Sequence, residues 1–412
     1  MRNWLSLSKT SLYFLTVIVF TILFLQATIP LWRNHLIVDI WFYFERAKHF
    51  FTYHSLSNLV NNEYLPGALF YFFLASPIFL LEKTLDAYTW TFFLLGFIFL
   101  AAHVLLYRKI SGTIGVLIFL LILLFTGPIL LFRFELAVSL LMLLSIYFFK
   151  KKKLSWSLFF LGMATTIKIY PVLILPYYLM IFFKKKQKKK ILQTLGFFLL
   201  GVGIVVGGYF LIGGSLEELS SSFQFHALKP LGLESPLATP LILFFRNNFH
   251  RLPNLIGAYG VWGIEIDFLP VDLNFFNFLP LAFVFLFYLF LHFSKILTKE
   301  FEIQVVFLIF LIFLIFSKNL NPQYLFWIAS LVPLLEINQK KKNNLVLIFV
   351  SFLMILLLTQ YVYPILYSDL INSFSRNAKT LTPVVYCLFL RNFLLLMLLI
   401  VSAKEFLFSK RS

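Results

Sequence analysis

Charged residues and cysteines are both scarce in this chain. Only 13% of its 412 residues are charged, against about a quarter in soluble domains, while 61% are hydrophobic. The single cysteine, Cys387, lies in an apolar run, which excludes a disulfide framework and a thiol-rich metal site. Apolar runs long enough to cross a bilayer recur along the chain. The composition therefore predicts an all-α, polytopic membrane protein.

The basic charge is concentrated in lysine runs. A net charge of +18 could suggest a nucleic-acid partner, but the runs at 150–153, 184–190 and 340–342 flank apolar segments. Lysines in that position mark the cytoplasmic face, where anionic lipid headgroups attract them. We therefore expect membrane lipids, and no nucleic acid, among the partners.

A single domain covering residues 1–412 is expected, with about 11–13 transmembrane or re-entrant helices. The run from Ser11 to Ile29 is longer than the apolar core of a signal peptide and no small-x-small site follows it, so it predicts a first span. Further spans are expected at 67–81, 87–106, 114–131, 136–149, 191–212, 273–293, 303–316, 323–336, 345–363 and 383–402, with a broken pair at 155–183. The lysine-rich loops and the basic N-terminus can all lie on the cytoplasmic side only if one segment enters the membrane and returns to the same side. The candidates for this re-entrant segment are 67–81, 114–131 and 236–246.

The apolar segment Trp156–Phe183 has Lys168 near its centre. Pro171 lacks an amide donor and disfavours helical angles at Tyr170, which predicts two half-length helices meeting there. Lys168 then lies deep in the membrane or at its far face, where an ammonium is costly unless it meets an anion or water. We interpret Lys168 as a functional residue; the alternative is a structural ion pair with Glu135 or another acid.

Other polar residues lie in loops expected on the non-cytoplasmic side. Asp39 follows the first span beside Trp41 and Tyr43, which favours a helix lying on the membrane surface. A solvated loop aspartate is the alternative interpretation. For Arg133 and Glu135, two residues apart at a membrane boundary, a structural ion pair is the simplest interpretation.

The longest polar region runs from Gly213 to Phe278. His226, Lys229 and Glu234 lie within nine residues of one another there, a combination that can bind a phosphate or a sugar hydroxyl. The stretch 262–267 of the same region predicts an exposed loop or short strand. In the later loop 317–327, a tight turn explains Asn321-Pro322, but it does not explain Lys318 and Gln323 beside that turn.

Four stretches resemble the polyprenol-phosphate-mannose-dependent mannosyltransferases, glycosyltransferase family 87 of the GT-C superfamily. The matching residues are Asp39, Tyr43, Tyr64 and Pro66, then Lys168, Tyr170 and Pro171, then His226 with Leu228 to Ser235, and finally Lys318, Pro322, Gln323, Tyr324 and Trp327. The matches span residues 37–330. For residues 340–412, further transmembrane helices are predicted from hydropathy alone. Lys229 stands where an arginine is usual, and the first loop has one aspartate where an Asp-x-Asp pair is expected, which weakens a metal assignment.

The resemblance implies a GT-C-like helical fold and a transferase with a non-cytoplasmic active site, in a prokaryotic plasma membrane. Such an enzyme moves a sugar, usually mannose, from a polyprenyl phosphate to a hydroxyl of a glycan or glycolipid, with inversion. Asp39 would be the catalytic base. Residues that would contact the donor phosphate or the substrates are Lys168, Tyr170, Lys318, Gln323, Tyr324, His226, Lys229, Glu234, Arg133, Glu135, Tyr43 and Tyr64. The donor would be a lipid-linked co-substrate. No cofactor and no set of metal-binding residues are expected, and dependence on a divalent metal is left as an alternative.

Two other classes of protein fit part of the pattern. A transporter or flippase for a lipid-linked saccharide would also have broken helices and an intramembrane lysine, but the chain shows no paired halves with matching breaks. A non-catalytic subunit of a polysaccharide-assembly complex would not depend on Asp39.

Overall fold

The computed structural model describes residues 8–54, 56, 63–76, 82–265, 275–294, 302–335, 342–375 and 381–409. These ranges form sixteen α-helices and a short β-hairpin. Six helical segments are long and apolar enough to cross a membrane: Lys9–Thr28, Leu85–Phe132, Lys188–Leu211, Phe275–Phe293, Val346–Ile365 and Pro383–Leu407. The predicted helical, multi-pass membrane class is therefore confirmed, while the number of crossings and the GT-C arrangement stay predictions.

The chain divides into two compact units, the first ending at Phe223 apart from Ala329–Leu334, which also belongs to it. Its helices are α1 (Lys9–Thr28), α2 (Pro30–Tyr53), α3 (Pro66–Leu74), α4 (Leu85–Thr126), α5 (Glu135–Lys150), α6 (Leu154–Ile167), α7 (Leu175–Lys184), α8 (Lys188–Leu211) and the start of α9 (Leu216–Ala227). Short 3-10 segments occupy Gly127–Phe132, Tyr170–Ile174 and Val332–Leu334.

The second unit begins at Gln224. It contains the end of α9, then α10 (Ala238–Phe249), β1 (Leu255–Ala258), β2 (Val261–Ile264), α11 (Phe275–Phe293), α12 (Ile303–Ile315), α13 (Leu325–Ala329) up to Ile328, α14 (Lys342–Gln360), α15 (Tyr367–Ser375) and α16 (Pro383–Ser409). A 3-10 turn at Pro322–Tyr324 precedes α13, and a π turn at Tyr361–Ile365 follows α14.

Two predicted spans, 87–106 and 114–131, fall on the two arms of one bent helix, α4, except that residues 127–131 lie in the 3-10 segment after it. Gly112 lies between them with φ +70°, a left-handed value that favours glycine. Arg108 and Lys109 lie within this helix just before the bend, between the two predicted spans.

Two predicted spans differ from the structure. The stretch 323–336 is a 3-10 turn, the five-residue α13 and a second 3-10 turn, because Pro322 and Pro333 each remove an amide donor; Glu336 lies outside the described residues. The stretch 67–81 is helical only as the nine-residue α3, and residues 77–81 lie outside the described residues. The stretch 236–246, one of the three candidates for a re-entrant segment, overlaps the twelve-residue helix α10.

Close backbone packing joins α6 and α8 in the first unit. A Cβ atom at Gly201 would meet the carbonyl oxygen of Phe159, and one at Gly162 would meet the carbonyl oxygen of Phe198. Small residues allow membrane helices to approach in this way. This contact, with the packing of α6 against α5, fixes the helix that ends at Lys168.

The hairpin organises the polar region of the second unit. Residues 231–233 run beside β2, with Leu233 N donating to Trp262 O and Ile264 N to Leu231 O, both at 2.9 Å. Gly232 N donates to the carbonyl of Lys318 at 2.8 Å, and a Cβ at Gly232 would lie 2.6 Å from Asn319 Oδ1. Of the two expectations for 262–267, the short strand is observed at residues 262–264, while Ile266 and Asp267 lie outside the described residues.

Candidate functional site

Asp39, the predicted catalytic base, lies within α2. This helix begins at Pro30, whose fixed φ suits a first helical turn, and Ile29 before it is extended. The helix predicted around Asp39 is confirmed, while its position on the membrane surface stays a prediction. The Asp39 side chain is 25% exposed.

An ion pair joins Asp39 to Arg133. Arg133 is extended (φ −133°, ψ 158°) between the buried segment Gly127–Phe132 and α5, and its side chain is only 10% exposed. Burial raises the pKa of Asp39 above its usual range, although the charge and hydrogen bond of Arg133 act in the opposite direction. The arrangement orients the carboxylate and leaves part of it accessible.

Lys168 forms a second ion pair, with Glu135. The lysine ends α6 in an extended conformation (φ −145°, ψ 142°). The helix ends there because the Pro171 ring would clash with the carbonyl of Ile167, four residues earlier. Glu135 is the first residue of α5, where the positive end of the helix dipole stabilises a carboxylate. The structural alternative for Lys168 is thus observed, and phosphate binding by its ammonium stays a prediction.

Arg133 and Glu135, which were expected to pair with each other, each form an ion pair with another residue. Arg133 bonds Asp39 and Glu135 bonds Lys168. Arg133 lies in extended backbone and Glu135 opens α5, and each finds a partner on a different element. The four charges interact electrostatically with one another, and we call them the charge cluster.

The ring of Phe134 lies against the charge cluster. Lys168 Nζ is 4.9 Å from its centroid, a cation–π distance. Tyr43 and Tyr64 contact its edge, with centroids 5.6 and 6.1 Å away. Tyr43 and Tyr170 are 2% and 1% exposed, so both rings are buried. A direct contact of these tyrosines with a substrate stays a prediction.

Gly67 connects the predicted Tyr64–Pro66 motif to the Lys168 motif. A Cβ at Gly67 would lie 2.6 Å from Thr166 Oγ1 and 2.8 Å from Ile167 Cγ1. The start of α3 therefore packs directly on the last turn of α6. Two motifs that are distant in the sequence meet beside Lys168.

In the second unit, Glu234 is bound to a residue that the motifs did not include. Arg391 Nη1 donates to Glu234 Oε2 at 3.0 Å, and Nη2 donates to the Glu234 carbonyl. Burial raises the pKa of Glu234 above its usual range, while Arg391 acts to lower it. The carboxylate of Glu234 is thus held by a buried guanidinium, and its contact with a phosphate or sugar stays a prediction.

The side chain of Lys318 reaches the C-terminal end of α9. Its Nζ donates to the carbonyl of Ala227, the last residue of that helix, at 2.6 Å, where the helix dipole favours a cation. Lys318 is 6% exposed, and burial lowers its pKa to about 8. The ammonium therefore already has a structural partner, and phosphate binding would add to it.

His226 and Lys229 differ in their surroundings. His226 is exposed in the last turn of α9. Lys229 is 8% exposed, with Nζ 5.0 Å from the Phe225 ring centroid. Their predicted contact with a ligand is not tested by this geometry.

Gln323 and Tyr324 lie in the turn before α13. Gln323 is 5% exposed, and within the described ranges its Oε1 has no hydrogen-bond partner. Tyr324 stacks on Trp327 with centroids 4.5 Å apart. The motif therefore forms a compact turn with a buried amide oxygen available to a hydroxyl donor.

Sequence reasoning missed Arg391 and Asn392, which lie in the apolar run 383–402. The signal was present, because a charge inside a membrane span is a functional or structural site by default, the rule that identified Lys168. Asn392 Nδ2 donates to Thr239 Oγ1 at 2.8 Å and helps to fix the segment after Glu234.

Comparison with known proteins finds no match to this chain among protein-family models, curated proteins or solved structures.

Proposed function

We propose that the protein is a membrane glycosyltransferase that moves a sugar, mannose in the first instance, from a polyprenyl-phosphate donor to an acceptor hydroxyl with inversion. The proposal rests on the exposure of the charge cluster. In each ion pair the residue from the motif is more exposed than its partner: Asp39 25% against Arg133 10%, and Lys168 17% against Glu135 1%. Groups that act on a substrate need an accessible atom, whereas the groups that orient them do not.

Asp39 would serve as the general base. Its carboxylate would accept the proton of the acceptor hydroxyl while that oxygen attacks the anomeric carbon and the bond to the phosphate oxygen breaks. Arg133 would hold the carboxylate in one orientation. A pKa above the usual range favours this role, because a base is most effective when its pKa approaches the working pH.

Lys168 would stabilise the leaving group. As the glycosidic bond breaks, the phosphodiester becomes a monoester and gains negative charge, which a nearby ammonium offsets. Lysine binds phosphate as a point charge, so the extended backbone at the end of α6 needs only to bring Nζ close. The side of the membrane, the sugar and the acceptor follow from the sequence resemblance and are part of the proposal.

Reconstitution tests the proposal. The purified protein in liposomes is supplied with polyprenyl-phosphate mannose or glucose and a panel of glycolipid acceptors, and products are identified by mass spectrometry. We expect sugar transfer that Asp39→Asn abolishes and that Asp86→Asn, which removes an exposed carboxylate, leaves intact. Movement of the donor across the bilayer without transfer would instead indicate a flippase, and neither activity would favour a non-catalytic subunit.

A further inference from the structure

We propose that Glu135 is a positioning residue, an internal counter-anion that the donor phosphate displaces from Lys168 and that re-forms its ion pair as the product leaves. The inference rests on the proposed function for the identity of the lipid phosphate. It concerns how tightly that phosphate is held.

The contacts of Glu135 show that it is built to hold an ammonium. Its side chain is 1% exposed, it opens α5, and Lys168 pairs with Oε1. In the described part of the chain, the buried Oε2 has no hydrogen-bond partner. A buried carboxylate with so few donors depends on Lys168 for most of its compensation.

Lys168 is held on more than one side. Phe134 offers its ring face to Nζ, and the packing of Gly67 on Thr166 and Ile167 fixes the backbone that leads to the lysine. The ammonium can therefore keep its position while one of its three donors changes acceptor. Because Lys168 is more exposed than Glu135, a phosphate can approach it without entering the core.

The charge cluster contains two carboxylates and two cations and is formally neutral. A site designed only to capture an anion would carry excess positive charge. Here the phosphate competes with Glu135 for Lys168, so its apparent affinity is the intrinsic affinity multiplied by the fraction of Lys168 that is free of Glu135. The same competition weakens the hold on the more highly charged monoester product. Glu135 thus favours turnover at the expense of affinity.

The test measures binding in the absence of turnover. Full-length protein in detergent is titrated with a short-chain polyprenyl monophosphate, with the unphosphorylated polyprenol and with inorganic phosphate. We expect Glu135→Gln to bind the polyprenyl monophosphate about tenfold more tightly than wild type, with polyprenol binding unchanged. Asp86→Asn, which removes an exposed carboxylate of the same unit, should bind all three probes as wild type does.

Glu135→Asp supplies a second variant that keeps the carboxylate and should fold even if Glu135→Gln does not. Its shorter side chain should loosen the pair and also tighten binding. Unchanged or weaker binding of the polyprenyl monophosphate by the variant that folds would overturn the inference. Inorganic phosphate should tighten by a similar factor but bind much more weakly than the polyprenyl monophosphate, because it lacks the lipid chain. Equal affinity for the two probes would show a general anion site and would overturn the assignment to a lipid-linked phosphate.

A readout of turnover separates this role from a purely structural one. If the proposed transfer is found, Glu135→Gln should lower KM for the donor and also lower kcat, because product release slows. A destabilised site would raise KM instead. Failure to find transfer would reject the proposed function but would leave the binding comparison intact.

Discussion

Arg391 Nη1 donates to Glu234 Oε2 at 3.0 Å and joins residues 157 positions apart in the sequence. Arg391 is 0% exposed within α16, and its Nη2 and Nε also donate to Asn392 Oδ1 at 3.0 and 3.2 Å. The pair connects α16 to the segment before α10. It is a charge-assisted network in which each group compensates the other.

Arg391→Met should destabilise the second unit severely. The substitution leaves the Glu234 carboxylate buried without its counter-charge, which costs about 3–5 kcal/mol. Thermal unfolding in detergent measures the loss. The exposed pair of Arg33 and Asp86, at 2.9 Å, provides the control, because Arg33→Met should cost no more than about 1 kcal/mol. Adding Glu234→Gln to Arg391→Met should recover part of the stability, and no recovery would show that the charge was not the cause.

Gly201→Ala should separate α6 from α8. The added methyl group would meet the carbonyl oxygen of Phe159, a backbone atom that cannot move away without shifting α6. We expect a loss of about 1–3 kcal/mol, typical of overpacking. Gly203→Ala in the same helix has nothing within 4 Å of its new Cβ, so it should be neutral or stabilise by up to about 1 kcal/mol through helix propensity. Equal effects of the two variants in thermal unfolding would contradict the close packing.

The sequence predicted the class of the fold and the position of its breaks better than the partners of its charges. Pro171 predicted the interruption correctly, yet the extended residue is Lys168, three positions earlier, because the proline excludes helix back to the carbonyl of Ile167. Hydropathy could not distinguish a crossing helix from the proline-broken stretch 323–336. Local rules pair Arg133 with Glu135, whereas tertiary packing gives each a partner from a distant element.

Lys318 should make stability depend on pH in an alkaline range. Its pKa in the folded protein is about 8, below its value in the unfolded chain, so between these values the unfolded state binds more protons. Stability from this residue therefore rises as pH increases from about 8 to about 10.5. The melting temperature of the wild type relative to Lys318→Met should increase over that interval. A constant difference between the two proteins from pH 7 to pH 10 would contradict a lowered pKa.

Asp39→Asn should abolish catalysis and spare the fold. The amide keeps the shape of the side chain and can still accept a hydrogen bond from Arg133, but it cannot take the acceptor's proton. Turnover should fall by about 100-fold or more in the reconstituted assay. The largely buried Arg133 loses its counter-charge in this variant, so the melting temperature should fall, and turnover is therefore compared per amount of folded protein. Turnover equal to that of wild type would remove Asp39 from the mechanism.

Lys168→Met separates the two roles of this lysine. The variant strands the buried Glu135 carboxylate, so the ligand-free protein should lose about 3–5 kcal/mol of stability. The double variant Lys168→Met with Glu135→Gln removes both charges and should recover most of that loss. Neither variant should be stabilised by a polyprenyl monophosphate to the extent that wild type is, because the ammonium that would bind the phosphate is absent from both. Recovery of stability together with wild-type stabilisation by the lipid would restrict Lys168 to a structural role and place the phosphate elsewhere.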